Sequence, residues 1–383
     1  MSKLDDLIKE YCPNGVEYKP LGDICTIKTG KTQNAGDGSP DGEYMYFTCQ
    51  KNPIHIDRWD YDLDALLIAG NCEVGRVHSY KGKFCAYQRV YILSDFDNGI
   101  NKKFLKYYIQ NSLKPYLHKQ PQNGMYRYIV INVLKEFEIP IPPFEVQEYI
   151  VSILEPMEGY IAELTAELTA RKTQYKGMLS KVMSKAPETK KMSEIITSHS
   201  KGTGITKKQL TEEGIPCLRY SKLHDDIPVG IIRTNTYTEE VKNSKWSEYG
   251  DLMIADASET IGGLGDGKVN LVGKMMIGSD IINIKHSENP LYIGYTYEYA
   301  RKQLRKGQPH QVQIFHVYIE DIKKLDIPYY PKEKQEKIAD LLNSLDVYTN
   351  DLQEGLPRLI ELYKQKYEYN LGYIMKKLEK ETK

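Results

Sequence analysis

"IPPFEVQEYIVSIL", residues 141–154, recurs in altered form near the end of the chain as "YYPKEKQEKIADLL", residues 329–342. At a shift of 188, the window 137–154 agrees with 325–342 at eight of eighteen positions: Ile139, Pro140, Pro143, Glu145, Gln147, Glu148, Ile150 and Leu154. A phrase repeated at this distance marks a duplicated structural unit, because a short motif with no partner has no reason to return in the same order.

The repeat reaches further in both directions. Asn101 matches Asn289, Tyr107 matches Tyr295, and Gln120–Pro121 matches Gln308–Pro309. Downstream, Tyr160, Leu164, Leu168, Tyr175 and Lys176 match Tyr348, Leu352, Leu356, Tyr363 and Lys364. Upstream the register slips: "LGDICTIKTGK" from Leu21 matches "MSEIITSHSKG" from Met192 at a shift of 171, and "DALLIAG" matches "GDLMIAD" at about 187. Such insertions belong in loops. Four segments follow: a module over 1–144, a helical region over 145–185, a second module over 186–332 and a second helical region over 333–383.

Within the modules, runs such as "EYMYFT", "ALLIAG", "RVYIL" and "GSDIINIK" are rich in β-branched and aromatic residues and alternate with Gly, Asn and Asp, which predicts twisted β-sheets. "KKFLKYYIQNSLKPYLHK" and "LYIGYTYEYARKQLRK" have helical spacing, one near the end of each module. After the modules, Met157, Ile161, Leu164, Leu168, Arg171, Tyr175, Met178 and Val182 step by four and three, a heptad seam with a polar interruption. Leu345, Leu352, Leu356, Leu359 and Tyr363 continue the second copy. Two such stripes bury each other best as an antiparallel, coiled-coil-like pair. Pro143 and Pro331 stand where a helix starts, and Pro156 and Pro357 predict that each helical region is broken into a short and a long piece. The fold class expected is α+β, two β-sheet modules separated by long antiparallel helices with a pseudo-twofold repeat.

The chain has 383 residues with 52 basic and 52 acidic side chains, so net charge points to no polyanionic partner. Distribution does. From Asn98 to Lys135 there is no acidic residue, while Lys102, Lys103, Lys106, Lys114, Lys119, Arg127 and Lys135 are interleaved with tyrosines, a stripe able to hold a phosphate backbone or to form a solvated helix face. No apolar run approaches the roughly 18 residues of a membrane span, and "MSKLDDLIKEY" lacks the apolar core of a secretory signal, so a cytoplasmic location is expected. Six cysteines form no CxxC pair and are expected as buried free thiols.

Catalytic patterns fail one by one. "TGKT" at 29–32 lacks the glycine that a phosphate-binding loop needs five residues before Gly30, where Cys25 stands. "GGLGDGK" at 262–268 lacks GxGxxG spacing and predicts a turn between strands. "IPPF" lacks the Asp or Asn of an adenine methyltransferase loop, having Ile141 there, and the second copy reads Pro328-Tyr329-Tyr330-Pro331. The eight histidines form no metal-like spacing, and no metal site is expected.

Two modules each followed by IPxxPxxxQ and a long amphipathic helix closely resemble the DNA specificity (S) subunit of type I restriction-modification systems. "CPNGVEYKPLGDICTIKTGKT" resembles that family's opening, "IPIPPFEVQEYIVSIL" its central conserved region and "NDLQEGLPRLIELYKQKYEYN" its distal one. The resemblance implies a non-catalytic subunit with two target recognition domains, each reading one half of a split double-stranded DNA site. It implies as partners two adenine methyltransferase (M) subunits docked on the helices, with ATP-dependent restriction and translocase (R) subunits joining for cleavage. S-adenosylmethionine, ATP and Mg would then sit on those partners, and this chain would hold no cofactor. A modification-only complex of the same family, and a tandem coiled-coil scaffold without nucleic acid, remain as alternatives. Candidates for DNA contact are Lys28, Lys31, Lys119 and Arg127 in the first module and Lys201, Arg301, Lys302, Arg305, Lys306 and His310 in the second. Candidates for the helix-pair or partner interface are Met157, Ile161, Leu164, Leu168, Tyr175, Leu345, Leu352, Leu356, Leu359 and Tyr363. The segments Asn34–Asp97 and Thr203–Lys285 differ strongly, which predicts half-sites of different sequence.

Overall fold

A computed structural model describes residues 3–32, 34, 36–119, 128–225, 227–305, 314–352 and 354–380, with the side chains of 379 and 380 left aside. Ten α-helices appear among them: α1 (Lys3–Tyr11), α2 (Leu21–Ile24), α3 (Lys102–Lys119), α4 (Ile131–Lys135), α5 (Phe144–Met183), α6 (Met192–Ile195), α7 (Pro290–Ala300), α8 (Ile319–Lys323), α9 (Lys332–Asn350) and α10 (Leu356–Lys380). The chain divides into two compact units, one of residues 1–161 with 363–383 and one of 162–362, so α5 and α10 each contribute to both.

The first unit is built on a six-stranded sheet in the order Thr26–Thr29, Val90–Ser94, Tyr61–Ala69, Val77–Ala86, Tyr44–Phe47, Ile54–Ile56. The run "ALLIAG" is buried on both sides because successive residues face opposite ways. Leu66 and Ile68 join the core with Phe104, Leu105 and Tyr107 of α3, while Ala65, Leu67 and Ala69 join a second cluster with Phe47, Tyr61 and Phe84. A separate antiparallel ribbon pairs Glu17–Pro20 with Glu138–Ile141, which places the repeated Ile139 opposite Lys19.

The second unit splits its strands between two five-stranded sheets. One runs Ser198–Lys201, Ile281–Lys285, Leu252–Ala255, Gly267–Asn270, Gly230–Ile231. The other runs Leu210–Thr211, Tyr237–Thr238, Ile215–Leu218, Met275–Ile277, Lys245–Ser247. The two-faced pattern returns, with Leu252 and Ile254 in one cluster and Met253 and Ala255 in another. The ribbon returns as well: Glu188–Lys191 pairs with Asp326–Tyr329, and Ile327 lies opposite Lys190.

The duplicated frame is therefore concrete in each unit: ribbon, short helix, first strand, central strand, helix and long helix. The strand after α2 and the strand after α6 both end at a glycine pressed against backbone. A Cβ on Gly30 would stand 2.2 Å from the Ala86 carbonyl oxygen, and one on Gly202 would stand 2.0 Å from that of Gly278. No side chain fits there, which is the reason for the glycine in "TGKT", and the match of Gly30 to Gly202 adds one residue to the shift of 171.

The expected break at Pro156 does not occur. α5 runs 40 residues through it, because Pro156 and Ser152 lie on the exposed face, where the carbonyl freed by the missing N–H meets solvent. In the second copy the break falls at 351–355, before Pro357. There Asp351 is held by Arg233 at 3.0 Å, and a Cβ on Gly355 would stand 2.7 Å from the Val347 carbonyl oxygen. This link lengthens the second copy by four residues. The Tyr175 ring packs on Tyr295 at 6.4 Å, whereas Tyr367, not Tyr363, packs on Tyr107 at 6.5 Å, so 175 corresponds in space to 367.

Candidate nucleic-acid interface

The basic stripe of the first unit is partly neutralised in space. α3 stacks Lys102, Lys103 and Lys106 toward carboxylates that are remote in sequence: Lys102 pairs with Asp64, Lys103 with Glu155, and Lys106 reaches both oxygens of Glu158 at 2.6 and 2.8 Å. The exposed positive groups that remain include Lys114 and Lys119 at the end of α3, and Lys28 and Lys31 beside the first strand. Lys28 lies opposite Ile92, and the Lys31 Nζ sits 5.1 Å from the centre of the Tyr61 ring. Arg127 and the turn at Gln120–Pro121 lie outside the described residues.

In the second unit the candidates separate into two kinds. Arg301 is 11% exposed, with Nη1 2.9 Å from Asp266, Nε 2.6 Å from Glu298 and a further bond from Nη1 to the Gly262 carbonyl at 3.0 Å. Arg305 donates to the same carbonyl at 2.7 Å. These two arginines brace the glycine-rich turn, and Arg301 is paired with two carboxylates. Lys302 is exposed beside the Tyr299 ring. Lys201 is exposed too, yet bonded at 2.5 Å to the buried Asp256, which raises the lysine's pKa. Lys306, His310 and Gln308–Pro309 lie outside the described residues.

Beside the glycine-rich turn opens a cavity of about 890 Å³, lined by Lys172, Tyr175 and Lys176 of α5, Tyr220, Ser221 and Leu223 to Asp225, Ala257 to Thr260, Gly262, Gly263, Asp266, Lys268, Glu298, Arg301, His316 and Asp346. Sequence reasoning missed most of these, because they come together only by folding. His224 is held at both ring nitrogens, 2.8 Å from Asp266 and 3.0 Å from the Ala257 carbonyl, so it offers no free base. Asp346 accepts from the Val229 amide at 2.7 Å, from the Tyr295 hydroxyl at 3.1 Å and from Asn350 at 2.8 Å. Burial raises the pKa of Asp346 and lowers that of Lys268. The cavity offers donors and acceptors at its rim over a tightly bonded floor, an arrangement for holding a polar surface.

The helix candidates also divide. In the first unit α5 and α10 run antiparallel, since Met157 meets Asn370 while Tyr160 meets Tyr363, ring centres 4.6 Å apart. In the second unit α5 and α9 run antiparallel, since Tyr330 donates to the Val182 carbonyl at 2.9 Å while Tyr348 meets Glu167. Leu164 and Leu356 are buried, Ile161 and Leu168 half-buried, and Tyr175 and Leu345 belong to the second unit's core. Leu352 and Leu359 are exposed, the former because it sits in the link between α9 and α10.

The type I restriction modification DNA specificity domain model matches residues 13–171 and again 185–362, once for each copy of the repeat. The chain belongs to this family. A Haemophilus influenzae protein named as a type I restriction enzyme specificity subunit is 26% identical over 92% of this chain and 94% of its own length. The EcoDI specificity subunit of Escherichia coli is 29% identical over 39% of this chain and 32% of its own length. In fold, the S subunit of a type I system from M. genitalium matches with a TM-score of 0.60 at 16% identity, covering 96% of each chain. A chain from a structure describing complex assembly and conformational transition of the type I system matches at 0.53 and 14% identity, covering 94% of this chain and 97% of its own. The chain is thus a type I specificity subunit, a non-catalytic role. Among the described residues no helix is long and apolar enough to cross a membrane.

Proposed function

We propose that this specificity subunit binds a bipartite, asymmetric double-stranded DNA site, one half-site per unit, and serves as the scaffold for two methyltransferase subunits and for restriction and translocase subunits. S-adenosylmethionine, ATP and Mg act on those partners. One observation carries the reading: the two units share one frame at matched positions but differ in sheet architecture, six strands in one sheet against two sheets of five. A shared frame suits identical partners, and different sheets suit different half-sites. Phosphate contacts fix the position on the duplex, and base edges give the sequence. In the first unit Lys28, Lys31 and Lys119 are the exposed candidates for phosphate, joined in the second by Lys302 and the lysines at the rim of the large cavity.

The test is reconstitution with methyltransferase subunits, followed by mapping of methylated adenines. Two unlike half-sites separated by unspecified bases are expected. Replacing residues 197–314 with the corresponding segment of a relative is expected to change one half-site only. A single unbroken motif, or a change in both halves, refutes the assignment of one half-site per unit. Failure of the chain to be retained on heparin in a salt-dependent way would favour a protein scaffold without nucleic acid.

A further inference from the structure

The first unit carries a helix, α1, with no counterpart among the described residues of the second. α1 buries Leu4 and Ile8 in the core formed with the start of α5 and the end of α10. Asp5 on its flank is 2.8 Å from Lys377 of α10, and Lys3 lies over the Tyr149 ring of α5. With 188 as the shift at the start of the long helix and 192 after the link, Tyr149 corresponds to Lys337, Val146 to Lys334 and Ile374 to Val182. Lys377 corresponds to Lys185.

Those second-unit positions line an open groove of about 480 Å³. Its floor is Met178, Val182, the Tyr330 ring and Ile338, and its rim is Lys181, Lys185, Lys334 and Lys337. The floor is less covered than its counterpart: Ile150 and Ile374 are 0% and 4% exposed, whereas Ile338 and Val182 are only half-buried. No carboxylate among the described residues pairs with any of the four lysines.

We propose that this groove receives one amphipathic helix with acidic flanks from another protein, seated as α1 is seated in the first unit. The apolar floor needs an apolar helix face, and the rim of four unpaired lysines favours carboxylates on either side of it. A phosphate backbone would meet the lysines but leave the floor exposed. The first unit satisfies its own groove, so the chain takes one such helix and not two.

The probe is a stapled, fluorescent peptide with the sequence of residues 3–11 carrying Lys3→Glu, because Lys3 lies over Tyr149 in the first unit and would face Lys337 in the second; the staple removes the cost of helix nucleation. Titration with the full chain is expected to give saturable binding of one peptide per chain, weakened by salt. Lys185→Glu with Lys337→Glu should weaken it at least tenfold, whereas Lys208→Glu, remote in sequence, should not. Should the double reversal lower the melting temperature, Lys181→Gln with Lys334→Gln replaces it. No saturable binding, equal binding of a peptide whose acids are changed to lysine, or insensitivity to both lysine pairs overturns the proposal. A 30-bp duplex provides the competing arm. If the reversal reduces duplex affinity and its salt dependence while the peptide does not bind, the groove is a DNA contact and the proposal falls. A dimer in sedimentation that is abolished by Lys337→Glu would make the occupant a second copy and would also overturn it.

Discussion

The side-chain oxygen of Gln147, on the first turns of α5, accepts a hydrogen bond of 2.8 Å from the backbone amide of Asn101, the residue that caps α3. Its Nε2 donates to the Gly99 and Pro142 carbonyls at 2.9 and 2.8 Å. Gln335 repeats the contact with the Asn289 amide at 3.0 Å, and with the Tyr330 carbonyl at 3.0 Å. Both glutamines are buried, so in each unit the repeated phrase is a clamp between the module's helix and the long helix. Gln147→Ala removes the partner of a part-buried amide and of two carbonyls, Gln335→Ala that of an amide, a carbonyl and the Glu288 carboxylate, and each is expected to cost roughly 1–3 kcal/mol. Hydrogen exchange should show the loss at α3 for the first and at α7 for the second. Protection lost equally in both units would mean the clamps do not act locally.

A second duplicated contact has been solved differently in the two units. Tyr107 donates to Glu158 at 3.0 Å and Tyr295 to Asp346 at 3.1 Å, at matched positions. In the first unit Lys106 neutralises the carboxylate. Its counterpart is Gly294, where a Cβ would stand 2.5 Å from Val229 and 2.6 Å from Val269, and the Val229 amide and Lys268 take over. Gly294→Ala is therefore expected to destabilise by about 1–3 kcal/mol through overpacking. Asp346→Ala, which strands a buried amide, a hydroxyl and a lysine, is expected to cost more, roughly 3–5 kcal/mol. Asp346→Asn should cost less than the alanine change, since Asn350 can turn its amide to match. Thermal melting of the three variants checks the order.

Much of this frame was legible because it is periodic or repeated. The Gln147 and Gln335 positions, the second strand of each ribbon (Glu138–Ile141 and Asp326–Tyr329) and the start of each long helix keep one shift, since an insertion there would break the clamp. The link at 351–355 was placed at Pro357 by sequence, and Pro156 was read as a break, because the pattern of prolines does not reveal which carbonyl faces solvent. The basic stripe misled for another reason: Asp64, Glu155 and Glu158 are distant in sequence from Lys102, Lys103 and Lys106 and meet them only in the fold. Arg301 looked like an open cation in part for the same reason, since Asp266 is 35 residues away, although Glu298, three residues before it, was in view. Of the six cysteines, five are buried as expected and Cys72 is exposed.

His286 gives the second unit a pH dependence with a defined sign. Both of its ring nitrogens are shielded from solvent, and neither makes a hydrogen bond of good geometry, though the Glu288 and Gly250 backbone lies close by. Burial lowers its pKa below 6.5, and the nearby Asp251 and Glu288 carboxylates with the Glu288 and Gly250 backbone offset only part of that. The unfolded chain therefore binds a proton that the folded chain refuses, and the associated stability is present above pH 6.5 and lost as pH falls below it. Melting temperature is expected to drop between about pH 7.5 and about pH 5.5. His286→Leu should flatten part of that drop. An unchanged slope would assign the acid sensitivity to other groups, such as the similarly shifted His78.

Arg301 and Lys302 are neighbours that should fail in different assays. Arg301 sits between Asp266 and Glu298 and braces the turn at Gly262, so Arg301→Ala leaves two half-buried carboxylates without their cation and releases the turn. The expected result is a loss of roughly 1–3 kcal/mol in stability, since both carboxylates are partly solvated and Asp266 keeps His224. Lys302 is exposed, and Lys302→Ala should leave melting unchanged while reducing the slope of log affinity against log salt by about one, whatever the half-site sequence. Lys119→Ala in the first unit should behave as Lys302→Ala does, and the double variant should lower the slope by about two if each lysine neutralises one phosphate. The measurement is duplex affinity over a range of salt, with melting followed in parallel. If Arg301→Ala reduces the salt slope without affecting melting, its carboxylate partners do not hold it in solution and it belongs with the phosphate contacts. If the two lysines leave the slope unchanged, they coat helix ends and the backbone contacts lie elsewhere on the units.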